Sequence, residues 1–145
     1  MSRLLLVVIL FSSTLSFGQG AKTIMIIDFV QIINDKKDEA LFFYENNWKV
    51  YRALALKKGF INSYRFLTTK RDSAANFDFM LITEYVDSLQ FQKSEERFQK
   101  IIKDTNPNGP KLLNDLRPSD FRRNLFFKEG ETRFSDAVNT GNKKR

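Results

Sequence analysis

The sequence predicts an α+β domain, a four-stranded sheet with two helices packed on one of its faces. Three observations carry that expectation. Strand and helix periodicities succeed one another in the order β-α-β-β-α-β between residues 23 and 129. The first and third strand segments are apolar on both sides, as strands inside a sheet are, whereas the second is amphipathic and suits an edge. The first helical segment carries an apolar stripe wide enough to dock on such a sheet.

In chain order, Thr23 to Ile33 sets Ile24, Ile26, Val30 and Ile32 on one side and Met25, Ile27, Phe29 and Ile33 on the other. The polar run Asn34-Asp35-Lys36-Lys37-Asp38 ends that strand and supplies helix-initiating side chains. From Asp38 to Lys58 the residues Leu41, Tyr44, Trp48, Tyr51 and Ala55 recur at helical spacing, and Lys57-Lys58-Gly59 is a well-formed stop. Ile61 to Thr69 reads as the edge strand and Phe77 to Val86 as the second two-sided strand. Asp87 and Gln90 have capping-box spacing ahead of a helix whose buried stripe is Phe91, Phe98, Ile101 and Ile102, with Glu96 and Lys100 pairing on its wet side. Asn106-Pro107-Asn108-Gly109-Pro110 terminates that helix, and Phe121 to Glu129 is the last strand.

The ends of the chain read differently. Arg3, the apolar run Leu4 to Leu15 and the small residues Ser16 and Gly18 have the layout of a secretory signal peptide cleaved near Gly18-Gln19. The run is shorter than the ~20 residues of a spanning helix, so the expectation is an exported protein, periplasmic or secreted, with no membrane span. Residues 1–18 are then the signal peptide, 19–130 a single domain, and 131–145 a polar, disordered tail.

The composition contains no Cys and no His. That removes disulfides, thiolate nucleophiles, Cys- and His-type metal sites and the commonest general base, so neither a cofactor nor a metal is expected. Any chemistry rests on Asp, Glu, Lys, Arg, Tyr and amides. The formal net charge is +7, but the charges are spread along the chain. In an exported protein this favours a small anionic ligand or an acidic surface over nucleic acid.

The β-α-β-β-α-β order is that of a ferredoxin-like domain. Two helices cover only one sheet face, which leaves an apolar face too large for a monomer and implies a homodimer packed sheet to sheet. In this respect the chain resembles the dimeric α/β-barrel superfamily, with its antibiotic-biosynthesis monooxygenase-like, EthD-like and NIPSNAP-like domains. The resemblance spans residues 23–129. It rests on element order, on the Trp-containing first helix (Glu45-Asn46-Asn47-Trp48) and on the aromatic third strand running into Asp87-Ser88. It implies no catalytic residue here, and the histidine of the haem-degrading members has no counterpart.

Candidate site residues emerge from the pattern. Asp28 and Glu84 interrupt apolar strand faces; each is either a carboxylate in a water-poor pocket, able to act as acid or base, or a structural partner of a cation. Arg65 is the obvious cross-strand partner or an anion anchor. Tyr44, Trp48 and Tyr51 share a helical stripe and either line a pocket for a planar ligand or form helix–sheet core. Arg117-Pro118-Ser119-Asp120 reads as a Pro turn closed by a local side chain, with an anion-binding loop as the alternative. The expected function is binding of a small hydrophobic or anionic molecule, or of a partner, without catalysis. The alternative is a cofactor-independent monooxygenase-like or isomerase-like enzyme acting on a small hydrophobic or aromatic compound.

Overall fold

The computed structural model describes residues 23–133, so the signal-peptide reading and most of the tail lie outside the described residues. The elements are β1 (Ile24–Ile32), α1 (Lys37–Phe43), a π-helical turn (Tyr44–Trp48), α2 (Lys49–Lys57), β2 (Ser63–Thr68), β3 (Phe79–Tyr85), α3 (Ser88–Gln92), α4 (Ser94–Thr105), α5 (Pro118–Phe121) and β4 (Arg122–Gly130). The sheet order is β2-β3-β1-β4 with every neighbouring pair antiparallel. The two strands with apolar residues on both sides are therefore the central pair, and the amphipathic one lies at an edge. This is the ferredoxin-like fold.

Register decides what each face carries. Asp28 lies opposite Leu81 and Val30 opposite Phe79, while Phe66 lies opposite Leu81 from the other side. These residues form the face that the helices cover. Val30, Phe79 and Phe121 are fully buried there with Tyr44 and Trp48 over them, and Tyr51, Ala55, Ile61, Tyr85 and Ile101 form a second cluster beside them. The opposite face presents Ile27, Phe29, Met80, Leu67 and Phe126, the last two 43% and 49% exposed.

Local chemistry explains most element ends. Gly59 takes φ 67°, a left-handed value that suits glycine, and its N–H donates to Leu56 O at 3.0 Å to close α2. Asp87 caps α3 by accepting from Gln90 N at 2.7 Å, and the Gln90 amide oxygen in turn accepts from Val86 N. Asp120 accepts from Arg117 N at 2.8 Å, so the Arg117–Asp120 segment is the Pro turn closed by its own side chain.

Three expectations are corrected. The first helix is interrupted by the π turn. The second breaks at Lys93 (ψ 0°), which lets Phe91 reach Tyr85 at 5.2 Å between ring centroids while α4 packs alongside α2. Lys100 pairs with Asp104 at 3.2 Å and not with Glu96, a choice between exposed partners separated by tenths of a kcal/mol. At the other end of the described residues, Thr132 N donates to Thr23 Oγ1 and its hydroxyl donates to Glu84.

Asn47 is completely buried within the π turn. Its Oδ1 accepts from Lys111 N at 2.7 Å and from Asn106 Nδ2 at 3.0 Å, and its Nδ2 donates to Lys111 O at 2.8 Å. One amide thus holds the α4–α5 linker against the first helix. Asn47→Ala strands both backbone groups of Lys111 and is expected to cost on the order of 3 kcal/mol in urea unfolding. A loss under about 1 kcal/mol would show that water replaces the amide there.

Candidate functional site

A cavity of about 240 Å³ opens between the helices and the β1–β4 side of the sheet. Asp28 comes from β1, Leu81 from β3, Arg122 and Asn124 from β4, Ile102 from α4, and Phe43, Tyr44, Trp48, Tyr51 and Arg52 from the first helix. Two irregularities aim these side chains. The π turn inserts one residue, rotating the downstream side chains by about 100° relative to an unbroken helix. Arg52 accordingly comes round with Tyr51 to meet the sheet, and its Nε donates to Thr83 Oγ1 at 2.9 Å.

The second irregularity is a bulge in β4. Phe29 lies opposite Phe126, but Val30 lies opposite Asn124, so Leu125 is the extra residue. Without it Arg123 would face the helices, because a one-residue slip exchanges the two faces of a strand. With it, Arg122 and Asn124 stand on the same face as Asp28.

The cavity pairs aromatic surface with charge. The Arg52 guanidinium lies 3.9 Å from the Phe98 ring centroid and 5.2 Å from that of Trp48. Arg122 lies 4.9 Å from Phe43 and 5.6 Å from Tyr44, and its Nη1 donates to Asn124 Oδ1 at 2.8 Å and to the Tyr44 hydroxyl at 3.3 Å. Burial pushes the Tyr44 phenol up to about 12, against the pull of Arg122, so it stays neutral. Burial also raises the Asp28 pKa, opposed by the charges of Arg52 and Arg122. Neither guanidinium comes within ion-pair distance of Asp28, and no described residue donates a hydrogen bond to its carboxylate.

Of the residues singled out in the sequence, Asp28, Tyr44, Trp48 and Tyr51 meet in this cavity; Arg65 and Glu84 do not. Both lie on the opposite sheet face, since Arg65 pairs with Ile82 and Glu84 with Met25. Glu84 accepts from Asn62 Nδ2 at 3.0 Å, Ser63 Oγ at 2.8 Å and Thr132 Oγ1. Burial raises its pKa, but those hydrogen bonds together outweigh it and the net shift is downward. Glu84 is a structural carboxylate tied by hydroxyls and an amide. Arg65 is exposed at the β2 edge, makes no ion pair with either carboxylate, and borders a second cavity of about 230 Å³ with Glu45, Lys49 and Tyr64, whose lining also includes Tyr44 and Trp48.

Arg52, Arg122 and Asn124 escaped the sequence reading. Arg52 was detectable as a cation adjoining an apolar stripe; Arg122 was not, because only the bulge selects it over Arg123. Among the described residues no acidic cluster has the arrangement of a metal site, and no helix is long and apolar enough to cross a membrane.

The geometry defines a ferredoxin-like domain with a half-open helix–sheet cavity, and known structures share that fold. The chain is similar to HapK from Hahella chejuensis at 12% identity and TM-score 0.50, covering 79% of this chain and 97% of that one. It is also similar to a dimeric ferredoxin-like protein of unknown function from Thermobifida fusca (14%, TM-score 0.46, 77% and 92%). An EthD-family protein from Bacillus halodurans gives 14% identity and TM-score 0.40 over 63% and 94%. No protein-family model matches the sequence, and no curated protein matches it. What the chain shares with HapK is the ferredoxin-like fold.

Two outcomes test the site's energetics. A raised native pKa means that ionised Asp28 costs stability at pH values above that pKa. Asp28→Asn is therefore expected to raise the melting temperature at neutral pH, with the difference shrinking as pH falls and the wild-type carboxyl protonates. Trp48 is 9% exposed and packs edge-on against Tyr64 at 5.7 Å, yet one side borders the cavity. Trp48→Ala is expected to cost about 3 kcal/mol, the low end for a large aromatic, in thermal or urea unfolding.

Proposed function

We propose that the protein binds a small, flat organic molecule in the helix–sheet cavity and does so as a homodimer. The observation that carries the binding reading is the Asp28 carboxylate, unbonded and partly desolvated beside two guanidiniums and a wall of aromatic rings. Structural carboxylates in folded proteins are usually satisfied, as Glu84 is here. A carboxylate left open to a cavity of this size is ready for a ligand.

What supports the dimer is the uncovered sheet face. Ile27, Phe29, Met80, Leu67 and Phe126 are contiguous there, and Phe29 stacks on Phe126 at 4.6 Å. A second copy packed face to face buries this patch. Native mass spectrometry of the full-length gene product, recovered from the compartment in which it accumulates, is expected to give a dimer with retained ligand. Its mass should show cleavage after Gly18, in keeping with the proposed export. A monodisperse wild-type monomer contradicts the dimer. Phe29→Lys is expected to dissociate it in light scattering while the fold, by circular dichroism, persists.

A second reading, cofactor-independent isomerase-like chemistry, is favoured by the same open carboxylate, which is positioned to move a proton on a bound ligand. Loss of turnover in Asp28→Asn with ligand binding retained would select it over binding alone.

A further inference from the structure

The cavity holds more unfilled donors than acceptors. Arg52 uses Nε on Thr83, and its terminal nitrogens meet no acceptor among the described residues. Arg122 uses Nη1 on Asn124 and Tyr44, while its Nε is buried with no partner at all. A buried donor without a partner, as Arg122 Nε is, is rare in native proteins because it forfeits its hydration. Against these two cations stands one acidic group, Asp28, and it bonds to neither. An acceptor-rich anion fills the vacant donors; a neutral ligand fills them less well, and a cation is repelled by both guanidiniums.

The anion brings a difficulty with it. A second negative charge close to Asp28 in a partly dry cavity is costly, and the cheaper state is the protonated acid, which then donates a hydrogen bond. Resting on the binding reading above, we infer that the cavity takes up a planar organic anion, an aromatic carboxylate or sulfonate, together with a proton that settles on Asp28.

Asp28 is the one acidic side chain lining the cavity, and burial raises its pKa. Arg52 from α2 and Arg122 from β4 supply the two positive charges. Tyr44 from the π turn and Tyr85 from β3 are phenols whose pKa values burial raises, so both stay neutral. The α4 wall contributes the apolar Ile102, and Asn124 does not titrate.

Benzenesulfonate is the probe of choice, because it remains an anion throughout the working range and any pH dependence belongs to the protein. Binding to the full chain is followed by the fluorescence of Trp48, the only tryptophan. Calorimetry in buffers of different ionisation heat counts the protons. The dissociation constant is expected to rise by up to about tenfold per pH unit above the Asp28 pKa, with proton uptake on binding. Asp28→Asn is expected to flatten that profile and to hold the low-pH affinity at high pH. Arg122→Gln is expected to weaken binding by about thirtyfold or more. Arg122→Lys, which keeps the charge but not the fork, recovers part of the loss; the Asp28→Asn arm stands alone if the Arg122 variants fail to fold.

A pH-independent affinity for benzenesulfonate in the wild type overturns the inference. So does tighter binding of benzylamine or benzamide, although either leaves the binding reading intact. If none of the three probes perturbs Trp48, the binding reading itself fails and the inference with it.

Discussion

A carboxylate in the middle of the central strand, on the side the helices cover, is the constraint around which this domain is arranged. Asp28 has Val30 two residues along on the same face and Leu81 directly across, both buried. A core position of that kind ordinarily takes a β-branched or aromatic residue. The neighbourhood neither neutralises Asp28 with an ion pair nor ties it down with hydrogen bonds. It surrounds the group at a distance with two guanidiniums and leaves an opening. That arrangement spends stability to keep a charge available, which is common at functional sites and uncommon in passive core.

The aromatic content serves the same end. A guanidinium lying on a ring face keeps its charge while shedding water, since the ring's negative face replaces part of the hydration. Arg52 between Phe98 and Trp48, and Arg122 over Phe43 and Tyr44, are both held in this way. Their orientation comes from the backbone. The π turn brings Arg52 round to the sheet, and the extra residue in β4 turns Arg122 inward. Asn47, inside the π turn, then fixes the α4–α5 linker, and Asn106 in that linker donates to the Tyr51 hydroxyl at 2.7 Å. The wall of the cavity and the linker behind it are one hydrogen-bonded assembly.

The same distinction between periodic pattern and backbone irregularity governs how much was legible in the sequence. The element order, the central pair, the edge strand and the α2 stop were readable, because each rests on periodicity, on two-sided apolarity or on a glycine that needs a positive φ. Four cavity residues were readable too, since Asp28 breaks an apolar strand face and Tyr44, Trp48 and Tyr51 keep one helical stripe. Of the two cations, Arg52 was detectable beside that stripe, but Arg122 was not. Arg122 and Arg123 are interchangeable in a pattern argument until the Leu125 bulge is placed, and bulges leave little trace in a single sequence. Glu84 misled for the opposite reason: its sequence context matches that of Asp28, but its strand neighbours Asn62 and Ser63 and the distant Thr132 satisfy it, a tertiary fact.

Strand β1 joins the cavity to the open sheet face. Its residues alternate between the two, with Asp28 standing between Ile27 and Phe29. The β4 bulge that turns Arg122 inward begins opposite Phe29, at the point where Phe29 stacks on Phe126. Whatever presses on the open face at Phe29 and Phe126 therefore bears on the backbone that sets the direction of Arg122. Packing in proteins is close to crystalline density, so displacement on one side of a strand is not absorbed without a response on the other. A second copy seated on the open face would in this way also stiffen the cavity floor beneath Asp28. The apolar face and the charged cavity, separate as surfaces, share one strand and one bulge.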